Sequence, residues 1–144
     1  DELARIDDIA IVAAPGYSTF ADRLAIQDAL RNHAEARKAY RFAVLDTRRG
    51  ILPQEALTDK SVIDSSYAAI YYPWIVATNP LSRPDDAGIP REIALPPSGF
   101  ICGIYARNDV SRSVSKSPGN EVVRGAIRFE RNVSNPEQEL LNPR

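Results

Sequence analysis

Two short, nearly continuous apolar runs enclose one long amphipathic segment, and this succession constrains the fold more than any other feature. The first run, Ile9 to Ala14, is closed by Pro15-Gly16, and the second, Arg41 to Asp46, directly follows the amphipathic segment. Such runs are typical of strands in a parallel sheet, because both of their faces are covered. Strand, helix and strand in this order form a right-handed crossover unit. The sequence therefore predicts an α/β domain.

The amphipathic segment is predicted to be one helix from Thr19 to Tyr40. Thr19 stands three residues before Asp22, a weak variant of the capping box that marks helix starts. Ile26 and Leu30 follow helical spacing, and most charged side chains fall off that line. His33, the only histidine, lies on the apolar line, so we interpret it as a partly buried residue at a packing edge.

Beyond Asp46, the pattern predicts a short helix around Gln54 to Thr58 and then a third apolar run, Ser65 to Thr78. Pro73 interrupts that run and lacks a backbone donor, so the strand is expected at an edge, bulged, or ended near Tyr72. Asn79 to Glu92, rich in proline and aspartate, is predicted to be a surface loop.

The last third of the chain is expected to hold two helices and a strand. Pro96-Pro97 blocks an earlier start, so the first helix is predicted from about Ser98, as its cap, to about Asp109. Its buried face would consist of Ile101, Ile104 and Tyr105. A strand is expected within Glu121 to Glu130, and a helix begins at Asn135-Pro136.

The size of the chain fits one domain. A chain of 144 residues that is 44% hydrophobic can bury a core of its own. The fold class predicted is a single α/β domain with a mostly parallel or mixed sheet flanked by helices. Because the chain lacks methionine, begins at Asp1 and stops at Arg144, we interpret it as a fragment of a larger subunit.

Charge and composition argue against several classes of partner. A net charge of -1 gives no overall attraction to nucleic acid or to anionic membranes. No apolar run approaches the ~18 residues that span a bilayer, so direct membrane insertion is not expected. The single cysteine, Cys102, cannot form an internal disulfide, and its neighbours Ile101 and Ile104 indicate a buried thiol in a reducing compartment or assembly site.

A ligand site in an α/β sheet would lie beyond the carboxyl ends of the strands, at Pro15 to Ser18 and Asp46 to Arg48. The first turn has one glycine where nucleotide-binding motifs need several. A phosphate-handling enzyme using Asp46 is the alternative function. However, Asp7 and Asp8, which could hold magnesium, precede the first strand and would lie at the opposite end of a parallel sheet.

Other catalytic arrangements find no support in the sequence. His33 has no nucleophile or acid at helical spacing. One Cys and one His are not spaced as metal ligands, and no G-x-S-x-G motif occurs. We therefore expect no catalytic, cofactor or metal site.

A protein–protein interface is the function that the residue types favour. Aromatic and arginine side chains anchor such interfaces, and charged side chains can pair across them. An ordinary aromatic core strand with solvated charges is the equally weighted alternative. The candidate subunit-interface residues are Tyr71, Tyr72, Trp74, Arg107, Asp109, Arg112, Lys116, Glu121 and Arg124.

Several blocks of the sequence, in one order, resemble the middle region of contractile tail sheath proteins. The blocks are "SSYAAIYYPWIVATNPL", "IALPPSGFICGIYARNDVSRSVSKSPGNEVVRGAI" and the final "ELLNPR". The resemblance covers roughly Ile9 to Arg144 and is most specific from Ser65 to Gly125. This family is found in contractile-tailed phages, phage-tail-like bacteriocins and extracellular contractile injection systems.

The resemblance implies a structural subunit with no catalytic site. Such subunits polymerise as a helical sheath around a tail tube and contract to drive the tube through a target envelope. The implied partners are other sheath subunits, the tail tube protein, and baseplate and terminator proteins, in a virion tail or phage-tail-like particle assembled in the bacterial cytoplasm. The terminal arms through which sheath subunits pair with neighbours are not visible in the sequence.

One loop departs from the family pattern. The segment Lys116 to Asn120 usually reads lysine, alanine, proline, alanine, asparagine, and here it is "KSPGN". Ser113 and Ser115 replace the usual glycine and aromatic residue before the lysine. We therefore expect this loop to pack or to make contacts differently from its relatives.

Overall fold

The computed structural model describes residues 2–6, 8–36 and 40–142, over which the chain forms six strands and four α-helices. The strands are β1 (Ile11–Val12), β2 (Phe42–Asp46), β3 (Ala68–Tyr71), β4 (Ile75–Thr78), β5 (Glu92–Leu95) and β6 (Ala126–Phe129). The helices are α1 (Arg23–Glu35), α2 (Pro53–Ser61), α3 (Pro97–Ser111) and α4 (Asn135–Leu141). Asp1, Asp7, Pro143 and Arg144 lie outside the described residues, as do 37–39.

The predicted crossover unit is confirmed in the first sheet. Its strand order is β1-β2-β3, and all pairs are parallel, with Ile11 opposite Phe42 and Ala43 opposite Ala68. Val44 and Leu45 in β2 are 0% exposed, which fits a central strand covered on both faces. Burying one such side chain contributes about 1.5–3 kcal/mol, so β2 anchors the core.

Helix α1 covers one face of this parallel sheet. Ala34 belongs to the same core cluster as Val12 and Leu45, and Ile26 and Leu30 pack against that cluster. Ile26 and Leu30 thus face the core as the apolar spacing predicted, whereas Ala29, on the same spacing, is exposed and the fully buried residues of the helix are Gln27 and Ala34.

The start of α1 differs from the prediction. Thr19 lies in a short 3-10 helix, Tyr17–Thr19, and its Oγ1 donates to the Gly16 carbonyl at 2.8 Å, so Thr19 is not the helix cap. The α-helix begins four residues later at Arg23. It ends at Glu35, and residues 37–39, which the prediction included, lie outside the described part of the chain. Tyr40 is outside the helix, with a positive φ of 49°.

The third apolar run is not one strand, as predicted, but two strands in different sheets. β3 ends at Tyr71, and β4 begins at Ile75 after a cis peptide bond between Tyr72 and Pro73. Three alternatives were predicted for the strand that contains Pro73: an edge position, a bulge, or an end near Tyr72. The end near Tyr72 is confirmed. The physical reason is that Pro73 cannot donate to a ladder and interrupts the backbone pairing of the run.

A second sheet is antiparallel and has the strand order β5-β4-β6. Ala77 pairs with Ile93 on one side and with Ala126 on the other. β5 begins at Glu92, the last residue of the predicted surface loop, and the sequence analysis did not identify it. The α/β fold class is confirmed, with one parallel and one antiparallel sheet in place of one mostly parallel or mixed sheet.

Helix α3 lies close to its predicted bounds, at Pro97–Ser111. Ile104 is buried, and Ile101 and Tyr105 are half-buried, so the predicted apolar face points inward. Ser98 does not cap the helix, because its side chain donates to Asp46 instead. The prediction of Ser98 as the cap was therefore wrong.

The two remaining helices lie where they were predicted, since proline favours the first helical turn. α2 extends from Pro53 to Ser61, beyond the predicted Gln54 to Thr58. α4 begins at Asn135 behind a capping box of Ser134 and Glu137. None of the helices in the described ranges has the length and apolarity that a membrane crossing requires.

We expect the carboxyl group of Glu137 to titrate near pH 2. Its Oε2 accepts hydrogen bonds from the backbone and hydroxyl of Ser134, both at 2.9 Å, and its Oε1 accepts one from Arg131 at 3.1 Å. The Ser134 backbone N–H, then the Arg131 and Ser134 side chains, lower the pKa of Glu137 from 4.5 to about 2. Because the folded pKa is the lower one, this interaction stabilises α4 above pH 4.5 and is lost as the pH falls towards 2.

Carbon-detected NMR titration of the Glu137 carboxyl measures this value directly. Arg131→Gln combined with Ser134→Ala should raise the pKa of Glu137 towards the ordinary value. A midpoint near 4.5 in the unaltered chain would contradict the capping geometry.

Candidate interaction surface

Asp46 joins the parallel sheet to helix α3. It is the last residue of β2 and is 2% exposed. Its Oδ1 accepts a hydrogen bond from the Ser98 backbone N–H, and its Oδ2 accepts one from the Ser98 hydroxyl, both at 2.7 Å. A carboxylate at the first turn of a helix also interacts favourably with the helix dipole. We call Asp46 and Ser98 the Asp46 junction.

Both oxygens of the Asp46 carboxylate accept hydrogen bonds within the domain. Burial raises the pKa of Asp46, and hydrogen bonds from Ser98 and from the Gly16 backbone oppose that increase. Asp8 precedes β1 and is exposed, and Asp7 lies outside the described residues. In the described ranges, no three His, Cys, Asp or Glu side chains come together as metal ligands. The alternative of an enzyme that uses Asp46 therefore finds no support in the geometry.

The side chains of His33 and Cys102 are partly buried within the domain. His33 is half-buried, as predicted, and its Nε2 contacts the guanidinium of Arg41. The Arg41 side chain also donates to the carbonyls of Ile9 and Ile6. Cys102 is half-buried, less than the predicted burial, and desolvation raises the pKa of its thiol. A raised pKa keeps the thiol protonated and unreactive at neutral pH.

Trp74, one of the candidate interface residues, is in the interior and 5% exposed. Its indole Nε1 donates to the Thr47 carbonyl at 2.9 Å, and its carbonyl accepts from the Glu130 N–H at 2.8 Å. The Arg49 guanidinium lies over the ring, 5.8 Å from the centroid, and pairs with the Glu130 carboxylate at 2.7 Å. This set, Trp74, Thr47, Arg49 and Glu130, is the Trp74 junction. It connects the end of β2 in the first sheet with β4 and β6 in the second.

Tyr71 and Tyr72 are half-buried and bonded within the domain. The Tyr71 hydroxyl is 2.6 Å from the hydroxyl of Tyr105 in α3. The Tyr72 hydroxyl donates to the Ile51 carbonyl at 3.2 Å. The structure thus gives the three aromatic candidates intramolecular roles, and contact of Tyr71 or Tyr72 with another subunit stays a prediction.

The six charged candidates lie on α3 and the loop that follows it, and three of them, Arg107, Arg112 and Glu121, contact one another. Asp109, two residues from Arg107, lies on another side of the helix, and its contact with another subunit stays a prediction. Glu121 accepts hydrogen bonds from Arg112 at 2.8 Å and from Arg107 at 3.4 Å, and Arg107 also donates to the Val122 carbonyl at 2.8 Å. The loop therefore folds back onto the helix. We call this the α3–loop surface, formed by Arg107, Val110, Arg112, Val114, Lys116, Glu121, Val122 and Arg124.

The buried side chain of Asn108 in α3 also holds this loop through hydrogen bonds to the loop backbone. It is 3% exposed, and its side-chain amide donates to the carbonyls of Lys116 at 2.7 Å and Ser113 at 3.3 Å. Sequence analysis missed Asn108. Its position four residues after Ile104, on the buried line of the helix, is the signal that could have identified it.

The α3–loop surface combines exposed apolar side chains with free charges. Val110, Val114 and Val122 are 92%, 82% and 71% exposed. Lys116 and Arg124 are also exposed, and within the described ranges their side chains have no hydrogen bond or ion pair. Apolar area bordered by charge is the composition that protein interfaces favour.

A groove of about 490 Å³ adjoins this surface along α3. Its floor includes Gly99 and Gly103, which leave the helix backbone uncovered, and Arg107 and Arg124 are among its lining residues. The groove therefore shares two cations with the α3–loop surface.

Comparison with known proteins matches almost the whole chain. The family model described as the phage tail sheath protein central domain matches residues 3–144. None of the curated proteins compared with the sequence matches it.

Three solved structures are similar over nearly the full chain. The anti-feeding prophage baseplate structure is 30% identical over 96% of this chain, with a TM-score of 0.69. The sheath complex of PVC, an extracellular contractile injection system, in its contracted state is 27% identical over 94%, with a TM-score of 0.66. The contracted helical sheath of the anti-feeding prophage is 27% identical over 96%, with a TM-score of 0.65. The chain spans 33% to 34% of the length of these matched chains.

Proposed function

The chain belongs to the phage tail sheath protein family, and from this premise we propose that it is the central domain of a subunit that polymerises helically around a tail tube. The observation that carries the proposal is the family match over residues 3–144, supported by 30% identity to a contractile-particle chain over 96% of this chain. The polymer contracts and drives the tube through a target envelope.

Contraction of this kind requires a domain that moves as one rigid body between two packings. The Asp46 junction connects the parallel sheet to α3, and the Trp74 junction connects the parallel sheet to the antiparallel one. These buried bonds resist deformation, because breaking them leaves polar groups unpaired in the interior. The free energy of contraction then resides in the contacts between subunits, and the domain performs no catalysis.

The partners in this proposal are other copies of the subunit, the tail tube protein, and the baseplate and terminator proteins. The protein acts in a phage tail or phage-tail-like particle that is assembled in the bacterial cytoplasm. Neither nucleic acid nor membrane insertion is part of this function, in line with the net charge of -1.

We assign the contact with neighbouring subunits to the α3–loop surface. Its three exposed valines would supply apolar area, and Lys116 and Arg124 would pair with acidic groups of a neighbour. The Arg107–Glu121–Arg112 cluster holds the loop in place, so that the surface is already formed before contact.

Reversal of two charges tests this assignment. In the full-length sheath subunit that carries this domain, Lys116→Glu with Arg124→Glu should reduce the polymer recovered by sedimentation at least about tenfold, because like charges at an interface cost several kcal/mol. The melting temperature of the domain should hardly change, since both side chains are exposed and unpaired.

Arg83→Glu is the matched control, because Arg83 is an exposed arginine in the loop between β4 and β5. It should polymerise as the unaltered subunit does. If the double variant also polymerised normally, the α3–loop surface would not be a subunit contact. If the unaltered subunit formed no polymer with its tube, the proposed function itself would be wrong.

A further inference from the structure

A polar cavity of about 420 Å³ lies at the carboxyl edge of the parallel sheet, away from the α3–loop surface. Its lining comes from four places: the turn after β1, helix α1, the end of β2 with the turn that follows it, and α2. In open α/β sheets, ligands bind in this crevice beyond the strand ends. The polar residues of the lining include Ser18, Arg23, Asp28, Arg31, Asp46, Arg48 and Asp59.

Two buried donors of the cavity lining have no acceptor. Ser18 is 6% exposed, and its Oγ has no hydrogen-bond partner among the described residues. The buried Nε–H of Arg31 is also unpaired in the described part of the chain. An unmade hydrogen bond of a buried polar group costs free energy, so such groups are rare and call for an explanation. Both donors belong to side chains that line the cavity.

The lining holds three arginines and three aspartates, and one of the arginines has no ion pair. Arg48 donates two hydrogen bonds to Asp59, at 3.0 and 3.1 Å, and Arg31 pairs with Asp28 at 3.1 Å. The carboxylate of Asp46, which also borders the cavity, is bound by Ser98. Within the described ranges, the Arg23 side chain has neither an ion pair nor a hydrogen bond. Arg23 is therefore the arginine of the lining that is open to an anionic acceptor.

We propose that this cavity binds a carboxylate group through the Arg23 guanidinium, the Ser18 hydroxyl and the Arg31 Nε–H. A carboxylate has the single charge that Arg23 balances, and its two oxygens accept several hydrogen bonds at once, whereas a phosphate would bring a second charge without a partner. In the sheath, the carboxylate comes from an acidic side chain of a second copy of the subunit. This source rests on the proposed function, and binding of a carboxylate by the cavity does not.

The cavity itself is tested on the 144-residue chain with acetate as the probe. Sodium acetate at constant ionic strength should shift the NMR signals of the Arg23 and Arg31 Nε–H groups saturably, and sodium chloride should not. Arg23→Gln should weaken acetate binding at least about tenfold, since a charged hydrogen bond is lost. Arg83→Gln, with the same change of charge on an exposed loop, should leave acetate binding unchanged.

The Ser18→Ala variant tests the cavity with a substitution that should not impair folding. Because the Ser18 hydroxyl has no partner, its removal should leave the melting temperature unchanged or slightly raised and still weaken acetate binding severalfold. Absence of saturable shifts in the unaltered chain, or equal acetate binding by Arg23→Gln, would overturn the proposal.

The source of the carboxylate is tested separately in the full-length subunit. If a second copy supplies it, Arg23→Gln should reduce polymer formation and excess acetate should inhibit the unaltered subunit. If Arg23→Gln loses acetate binding but polymerises normally, the second copy is not the source and the carboxylate is a free small molecule. If the unaltered subunit does not polymerise at all, the proposed function is wrong. The acetate titration still shows whether the cavity binds a carboxylate.

Discussion

Replacing Trp74 with alanine is expected to lower the free energy of unfolding by about 4 kcal/mol, since truncation of a buried tryptophan typically costs 3–5 kcal/mol. The side chain is 5% exposed, and its loss removes the hydrogen bond to the Thr47 carbonyl and the ring beneath Arg49. Because these contacts join the two sheets, the variant should unfold at a lower urea concentration. Urea denaturation followed by far-ultraviolet circular dichroism measures the change without relying on tryptophan fluorescence.

Two comparisons separate the parts of this effect. Trp74→Phe keeps an aromatic ring but leaves the Thr47 carbonyl unpaired, so we expect a loss of about 2 kcal/mol. Tyr67→Ala removes an aromatic that is 50% exposed and should cost clearly less than Trp74→Ala. A loss below about 1 kcal/mol for Trp74→Ala would mean that Trp74 does not hold the sheets together.

Replacing Asp46 with alanine is expected to cost about 3 kcal/mol. The change leaves the Ser98 backbone N–H and hydroxyl unpaired in the interior, where charged hydrogen bonds contribute about 1.5–3 kcal/mol each and do not add fully. Relief of the buried charge offsets part of the loss, because burial raises the pKa of Asp46. Urea denaturation of Asp46→Ala, Ser98→Ala and the double variant forms a cycle that measures their coupling.

Asp46→Asn is the matched control for Asp46→Ala. An asparagine oxygen can accept the Ser98 N–H, and its amide can donate to the Ser98 hydroxyl, which rotates to accept, so the cost should be only about 1 kcal/mol. Equal stability of Asp46→Ala and the unaltered chain, or additive effects in the cycle, would contradict a structural role for the Asp46 junction.

The contribution of Asp46 to the free energy of unfolding is expected to decrease as the pH rises. Its pKa in the folded state is higher than the ordinary 3.8, so the folded state binds the proton more tightly than the unfolded state does. Relative to Asp46→Asn, the unaltered chain should therefore be most stable below pH 3.8 and lose that advantage as the pH rises through the folded pKa. Asp46 thus acts opposite to Glu137, whose contribution is lost in acid.

The helices and strands that the sequence predicted well are those whose pattern lies within the element itself or in its immediate neighbours along the chain. The β1–α1–β2 unit follows from apolar runs and helical spacing within about forty residues, and the start of α3 follows from Pro96-Pro97. The division of Ser65 to Thr78 between two sheets was not predictable in the same way. It depends on β5 and β6, distant strands of four residues each, and β5 directly precedes the proline pair.

The sequence predicted the exposure of the charged candidate residues, but it did not predict whether the aromatic candidates are buried or exposed. Arg107 and Glu121 occur in a polar segment, where exposure follows from composition. Trp74 gave no such indication, because an aromatic on an apolar strand can face the core or a partner, and only the position of Thr47 settles which. The link between Asp46 and Ser98 spans 52 positions in sequence and arises from tertiary packing alone.

Electron microscopy of the full-length subunit, expressed with and without its tail tube partner, tests the central claim most directly. We expect hollow, striated tubes in which this domain repeats helically around the tail tube. Dispersed globular particles alone, under conditions in which the tail tube itself assembles, would contradict a role as the central domain of a sheath subunit.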